Sequence, residues 1–85
     1  MESYKVFVET DVTTYVAQLS ETDQEYVLVD LALALKQDPH GHGEVWMTLG
    51  AEMWRVLRIG SAGLAYVVND EARTVTLVSL TLAPG

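Results

Sequence analysis

The sequence contains no cysteine and only two prolines among its 85 residues. The absence of cysteine excludes disulfide bridges, thiolate zinc sites and cysteine nucleophiles. A chain of this length builds one hydrophobic core, so we expect a single domain over residues 1–85 and exclude a multidomain enzyme. Packing alone must then stabilise the fold, which leaves so small a chain only a few kcal/mol of stability.

Long apolar runs are also absent. Charged residues interrupt the apolar segments every few positions, so no run approaches the roughly 18 to 20 residues that a membrane span needs. The N-terminal Met-Glu-Ser-Tyr-Lys has neither the basic start nor the apolar stretch of a secretory signal. We therefore expect a cytoplasmic protein with no membrane partner.

Basic residues are few. Five Lys and Arg against twelve Asp and Glu give a net charge of −7 at pH 7. The acidic excess lies in residues 1–44, whereas residues 45–85 balance three acids with three arginines. This balance argues against a phosphate-binding surface, so nucleic-acid binding should be weak at most. Any surface for an anionic polymer should come from the second half of the chain.

The first half of the chain has the hydrophobic pattern of one strand and two helices. Residues 4–9 are rich in aromatic and β-branched side chains, which predicts a strand. Residues 10–19 carry apolar side chains at helical spacing. Ser20 followed by Asp23 resembles a capping box and marks the start of a second helix, which must end before Pro39.

The second half reads as a series of short strands separated by turn residues. The absence of a long crossover after residue 44 predicts an antiparallel meander. We therefore expect an α+β fold with the order β-α-α-β-β-β, in which a helical hairpin packs on one face of a small antiparallel sheet. The strand candidates are 53–59, 64–68 and 74–82, with an additional short strand at 45–49.

The stretch from Trp54 to Val75 resembles the RelE/ParE superfamily of bacterial toxins. There the corresponding stretch reads W-R-x-R-x-G-x-Y-R-x-x-Y-x-x-x-D-x-x-x-x-T-V. The resemblance extends over nearly the whole chain and implies the RelE/ParE-like fold and an antitoxin partner. In active relatives it implies ribosome-dependent mRNA cleavage. The residues that carry it are Trp54-Arg55, Arg58-Ile59-Gly60, Tyr66, Asp70 and Thr74-Val75.

The departures from this pattern concern catalysis. The resemblance implies that ribonuclease members stabilise the transition state with a Lys and Arg cluster, an Arg in the Tyr-Arg segment and a basic, tyrosine-bearing tail. Here Ala62-Gly63 occupies the Tyr-Arg position, and residues 81–85 contain no Arg, His or Tyr. Loss of positioned cations costs several kcal/mol of catalysis, so mRNA cleavage should be weak or lost. Whether the protein is an enzyme stays open at this point.

Arg55, Arg58 and Tyr66 are the candidate catalytic residues. Residues three apart in a regular strand point to opposite faces, so the arginines share a site only if a β-bulge at Val56-Leu57 intervenes. Alternatively, each arginine is a solvated sheet residue beside one of the many acids. The Tyr66 phenol suits acid–base chemistry, although its place in an alternating apolar set is typical of a packed side chain.

Two further groups of side chains offer binding chemistry. One loop carries four alternating side chains that suit a metal site, and its histidines also suit a general base. These residues are Asp38, His40, His42 and Glu44. The flanking glycines favour instead a mobile, solvated loop. No serine is spaced for a nucleophilic triad, and no metal or cofactor is predicted. Trp46 and Trp54 suit a surface groove or, as is commoner in a small sheet, the core.

Two functions fit these observations. The first is a toxin-like component of a type II toxin–antitoxin system that binds an antitoxin. The alternative is a non-catalytic protein–protein interaction module, which retains the toxin fold and binds a basic partner through its acidic helices. The neutral, apolar last strand, 74–82, would form a homodimer or recruit a partner if it lies at a sheet edge.

Overall fold

The computed structural model describes residues 3–82, excluding the side chain of Leu82. The predicted α+β class with a helical hairpin is confirmed, and the additional strand is present. Residues 83–85, which belong to the predicted cation-free tail, lie outside the described residues. The elements are β1 (Lys5–Val8), α1 (Thr10–Val16), α2 (21–37), β2 (Glu44–Leu49), β3 (Glu52–Ile59), β4 (Ala62–Asn69) and β5 (Thr74–Leu82).

One five-stranded sheet has the strand order β1-β5-β4-β3-β2. The strands from β2 to β5 pair antiparallel, as the short turns between them require, whereas β1 runs parallel to β5. Along the chain, both helices lie between β1 and the other strands. They provide the long connection that two parallel strands need. The prediction of an edge at residues 74–82 is therefore wrong, because β5 lies between β1 and β4.

Local side-chain bonds set the ends of the helices. The Ser20 Oγ accepts a hydrogen bond from the Asp23 N–H at 3.2 Å, which confirms the predicted cap of α2. The Gln24 side chain donates to the Leu19 carbonyl at 2.8 Å and ties α2 to the end of α1. The second helix ends at Gln37, before proline as predicted, followed by a 3₁₀ turn over Pro39–Gly41.

A π-helical segment, Tyr26–Leu31, lies in the middle of α2 between two α-helical segments. Side chains four residues apart point into the core from this helix, namely Val27, Leu31 and Leu35. The other side of α2 remains apolar without being covered, since three further large side chains are more than half exposed. These are Leu28, Val29 and Leu33.

Both helices pack on the same face of the sheet and leave the other face open. The open face is defined here as the face of β3, β4 and β5 that carries Trp54, Val56, Gly63, Ala65 and Val78. Neither helix within residues 3–82 is long and apolar enough to cross a membrane. The core combines Val12, Val16, Val27, Leu31 and Leu35 of the helices with sheet residues that include Ile59, Leu64, Tyr66, Val68, Val75, Leu77 and Leu80.

A β-bulge in β5 adjusts which of its residues reach the core. Tyr66 of β4 pairs with Leu77, but the preceding Ala65 pairs with Ser79, so Val78 is the extra residue. Leu77 and Leu80, three apart in sequence, consequently both point into the core. The bulge bends the strand and places Val78 on the open face.

Candidate functional site

The two candidate arginines lie on opposite faces of the sheet. Strand β3 pairs with β4 without a register shift, from Glu52 opposite Asn69 to Ile59 opposite Ala62. The bulge at Val56-Leu57 that would have aligned the arginines is therefore absent. Unbroken alternation directs the Cα–Cβ bonds of Arg55 and Arg58 to opposite faces, so the structure does not bring the two arginines into one site.

Arg55 is buried and holds a loop to the sheet. Its side chain is only 8% exposed. The Nε donates to the His42 carbonyl at 2.9 Å, and Nη2 donates to the carbonyls of His40 at 3.1 Å and Gly43 at 3.2 Å. Arg55 is thus neither a solvated partner of an acid nor a cation presented to a substrate. It donates to three loop carbonyls, of which that of His42 also accepts from the Tyr66 hydroxyl.

Tyr66 is fully buried in the core beside Arg55, as its alternating apolar setting indicated. The Tyr66 hydroxyl donates to the His42 carbonyl at 2.7 Å. Burial raises the pKa of Tyr66, and the nearby Arg55 opposes that rise. The phenol therefore stays protonated and serves as a hydrogen-bond donor to the loop.

The histidine loop, residues 38–43, is hydrogen-bonded to the sheet through its carbonyls, while Asp38, His40 and Gly41 are exposed, as expected of a solvated loop. The Asp38 carboxylate accepts from the Gly41 N–H at 3.1 Å and caps the 3₁₀ turn. Gly43 has φ +66°, and a Cβ there would lie 2.6 Å from the Val56 carbonyl oxygen and 2.9 Å from the Tyr66 hydroxyl. Only glycine fits this position. Within residues 3–82, no three His, Asp or Glu side chains are grouped as metal ligands.

A second polar cluster, which sequence reasoning missed, joins the loop to the start of β1. The Asp70 carboxylate accepts a hydrogen bond from the Tyr4 hydroxyl at 2.6 Å and lies 2.8 Å from His40 Nε2. The bonds from Tyr4 and then His40 lower the pKa of Asp70, and the bond to Asp70 raises the pKa of Tyr4. These partners are 66 and 30 residues from Asp70, so no local spacing could have signalled them.

An apolar cleft occupies the open face. Trp46 of the edge strand β2 is 60% exposed, so the expectation of a core position is wrong for it and the surface-groove alternative holds. Its ring meets that of Trp54 edge to face, with the centroids 6.3 Å apart. The cleft measures about 680 Å³, and its lining includes Glu9, Trp46, Trp54, Val56, Ala65 and Val78.

Among the residues that the structure describes, no lysine or arginine lines the cleft on this face, where the resemblance to the ribonucleases implies a cluster of cations. Gly63, which stands where the resemblance expects an arginine, also lines the cleft, and a Cβ there would meet no atom within 4 Å. Arg58 of β3 pairs with Gly63 of β4 and is exposed. It also borders a cavity of about 510 Å³, whose lining includes Asp23, Glu25 and Asp30. Arg58 therefore lines a cavity with acids of α2 and is not among the lining residues of the cleft.

No protein-family model matches the sequence, and no curated protein is significantly similar to it. Solved structures are similar in fold. The archaeal RelE–RelB complex of Pyrococcus horikoshii matches with a TM-score of 0.84 at 17% identity, covering 96% of both chains. The chain has a RelE-like toxin fold.

Two further structures agree with this assignment. The toxin–antitoxin complex RelBE2 of Mycobacterium tuberculosis matches with a TM-score of 0.74 at 20% identity, over 96% of this chain and 93% of the other. The isolated Escherichia coli RelE toxin matches with a TM-score of 0.65 at 19% identity, over 96% and 86%. At these identities the likeness establishes the RelE-like fold and leaves the activity to the residues.

The contacts of Arg55 predict a structural role for this residue. Arg55→Met keeps the apolar stem but removes the guanidinium donor from the carbonyls of His40 and Gly43, while the carbonyl of His42 keeps the Tyr66 hydroxyl. Each buried group left unpaired costs about 1–3 kcal/mol. We expect the free energy of unfolding, measured by urea denaturation at pH 7, to fall by more than about 2 kcal/mol. The matched Arg58→Met should change it by less than about 0.5 kcal/mol. Equal effects of the two changes would contradict the assignment.

The lowered pKa of Asp70 predicts an acid-sensitive contribution to stability. Because the pKa of Asp70 in the folded protein lies below its ordinary value of 3.8, the ionised group stabilises the fold at pH values above 3.8. That contribution is lost as the pH falls through the folded pKa. Asp70→Asn should therefore lower the free energy of unfolding at pH 7 more than at about pH 2.5. Glu71→Gln, in the same turn, controls for the lost charge; an equal loss at both pH values in Asp70→Asn would refute the prediction.

Proposed function

We propose that this protein is a toxin-like component of a cytoplasmic type II toxin–antitoxin system, which binds an antitoxin and has weak or no mRNA-cleaving activity. The observation that carries the proposal is the combination of a RelE-like fold with an apolar open face. The similar structures from P. horikoshii and M. tuberculosis were both solved as complexes of toxin with antitoxin. A protein partner for this chain is therefore the first expectation.

The chemistry of the open face favours a protein partner over a nucleic acid. Tryptophan side chains supply large apolar contact areas and are enriched among the residues that dominate binding energy. Here both tryptophans of the chain line one cleft with Val56 and Ala65, and Glu9 supplies a negative charge. Such a surface repels phosphates and suits an apolar segment of another protein.

The same surface lacks the means to stabilise phosphoryl transfer. Cleavage of a phosphodiester builds negative charge in the transition state, which enzymes stabilise with positioned cations. Arg55 is committed to the loop carbonyls on the opposite face, and Gly63 contributes no side chain. Arg58 alone cannot form a cluster. These placements support a toxin fold whose catalytic function is weak or lost.

The alternative function, an interaction module that binds a basic partner through the helices, has one observation in its favour. Glu21, Glu25 and Asp30 are exposed on α2, and the last two border the cavity beside Arg58. A basic partner would be attracted to this side of the helix. The two functions differ in the surface they use, which is the open face for the first and the acidic side of α2 for the second.

The placement of the arginines predicts the outcome of a cleavage assay. Primer extension on a translated message should show no codon-phased cuts with the wild-type protein, and expression should not arrest growth. Gly63→Arg should not restore cleavage, because one cation does not replace a cluster whose members act together. Codon-phased cuts that vanish in Arg58→Ala would show instead that the open face is catalytic.

The tryptophan cleft predicts where the antitoxin binds. If a neighbouring gene encodes a small protein with a DNA-binding start and a disordered tail, that protein is the partner to test, and Trp46→Ser should weaken its binding about thirtyfold or more, as expected for a residue that dominates an interface. Tyr15→Ser, which removes an exposed aromatic side chain of α1, is the matched control and should have little effect. Tryptophan fluorescence should shift to the blue on binding, since both indoles line the cleft. Unchanged fluorescence, or equal loss in the control, would contradict this site.

A further inference from the structure

Within residues 3–82, strand β2 forms the edge of the sheet opposite to β1 and pairs only with β3. All six of its residues are exposed. An edge strand presents unpaired peptide N–H and C=O groups, with which another strand can pair. β2 adds apolar contacts to these groups, because four of its side chains are apolar and are 37% to 60% exposed. These are Val45, Trp46, Met47 and Leu49.

Few of the features that protect an edge strand are present in β2. Proteins commonly protect such edges with lysine, proline, charges that point inward or a bulge. Residues 44–49 contain no lysine, arginine or proline, and Glu44 is their only charged residue. The other edge strand, β1, carries Lys5. β2 is thus the less protected edge, and the homodimer that the sequence predicted at residues 74–82 finds a free edge here.

A β-bulge determines which side chains of β2 would meet a further strand. The register of β2 against β3 shifts between Val45 and Met47, so Trp46 is the extra residue. Trp46 lines the cleft of the open face, and Met47 pairs with Trp54 of the same cleft. The middle of β2 therefore presents an indole and a thioether to the open face. Such groups attract each other, and both are enriched in protein interfaces.

The charge of β2 favours a second copy of this chain, turned antiparallel, as the further strand. Because β2 is neutral apart from Glu44, a neutral apolar strand such as β2 itself suits it better than a charged segment. Antiparallel pairing places the two Glu44 residues at opposite ends, about 17 Å apart at about 3.4 Å per residue. That distance exceeds the Debye length of about 8 Å at physiological ionic strength, so their repulsion is screened. Parallel pairing would place them about 5 Å apart.

The acidic half of the chain lies towards the other edge of the sheet. The acidic excess is found in residues 1–44, which include β1 and both helices. Helix α1 contacts β5, and the end of α2 contacts β1. The acids at the start of α2 that border β3 share their cavity with Arg58, which offsets part of their charge. Two chains of net charge −7 therefore repel each other less through β2 than through β1.

We propose that two copies of this chain pair through β2 in antiparallel orientation and join their sheets into one. The two-fold axis passes through the middle of β2, so that Trp46 of each copy lies beside Met47 of the other. Strand β1, which carries Lys5, then forms both ends of the joined sheet, and the assembly closes as a dimer. This homodimer goes beyond the proposed antitoxin binding and does not depend on it.

Light scattering of the full chain over a range of concentrations tests the dimer. The mass should rise from that of one chain to that of two and no further. Met47→Lys should raise the dissociation constant about tenfold or more, because the two-fold axis brings the two introduced charges together. Phe7→Lys makes the matched change in β1, at the other edge, and should leave the dissociation constant unchanged. Circular dichroism of both variants ensures that folded proteins are compared.

Disulfide formation tests the orientation of the two strands. The chain contains no cysteine, so a single introduced cysteine can bridge only two copies. Met47→Cys should form a covalent dimer rapidly on oxidation, because the two-fold axis holds this position within the roughly 7 Å between Cα atoms that a disulfide requires. Glu44→Cys should react far more slowly, since antiparallel pairing holds that position at opposite ends.

Several results would overturn the proposal. These are the mass of a single chain up to about 1 mM, a mass that grows beyond two chains, equal weakening by Phe7→Lys, and equal rates of disulfide formation in Glu44→Cys and Met47→Cys. A monomeric chain whose affinity for an antitoxin falls in Met47→Lys would identify that partner, and not a second copy, as the occupant of β2. None of these results affects the expected outcome of the cleavage assay.

Discussion

The hydrogen bonds between Arg55 and the loop at residues 38–43 determine how the two halves of this protein fit together. This loop leads from α2 into β2, and its carbonyls at His40, His42 and Gly43 turn towards the sheet. Backbone carbonyls in a partly buried position need donors, and a guanidinium supplies several in a fixed geometry. Together with the Tyr66 hydroxyl, Arg55 hydrogen-bonds three carbonyls of this loop.

This use of Arg55 affects both faces of the sheet. Because its guanidinium is directed towards the loop on the helix-covered side, its charge is withdrawn from the open face, which keeps an apolar cleft between Trp46 and Trp54. The held loop also carries His40 to Asp70, which in turn accepts from Tyr4 at the start of β1. One buried cation therefore links the helical hairpin, the meander and the first strand.

Local sequence signals predicted the local features of the fold. Ser20 and Asp23 marked the start of α2, Pro39 marked its end, and turn residues separated the strands. Features that depend on pairing between residues far apart in the sequence could not be predicted from local patterns. The position of β1 beside β5 joins residues about 70 apart, and each local pattern is compatible with either edge of the sheet. Patterns within a short stretch of sequence do not determine which edge of the sheet β1 joins.

The candidate site shows the same limit. Spacing correctly required a bulge to bring residues three apart onto one face, but the register shifts lie in β2, at Trp46, and in β5, where the shift directs Leu77 and Leu80 into the core. Apolar side chains gain free energy by entering the core, so packing favours a bulge there. In β3 the unbroken strand already buries Ile59 and places Arg55 against the loop carbonyls. The burial of Arg55 could not be predicted from the sequence, because its hydrogen-bond partners in the loop are backbone carbonyls. Every residue has such a carbonyl, so no residue type marks the partner.

The distribution of basic residues in space differs from their distribution in sequence, and this difference separates the binding surfaces. Along the chain the second half holds the arginines, yet Arg55 is buried and Arg58 borders acids of α2. Parallel pairing of β1 with β5 instead brings Lys5 close to the turn that carries Arg73, and the Tyr4 N–H bonds the carbonyl of Lys36 at the end of α2. The described residues along the outer edge of β1 therefore include both lysines, Lys5 and Lys36, whereas the described lining of the cleft on the open face includes neither lysine nor arginine.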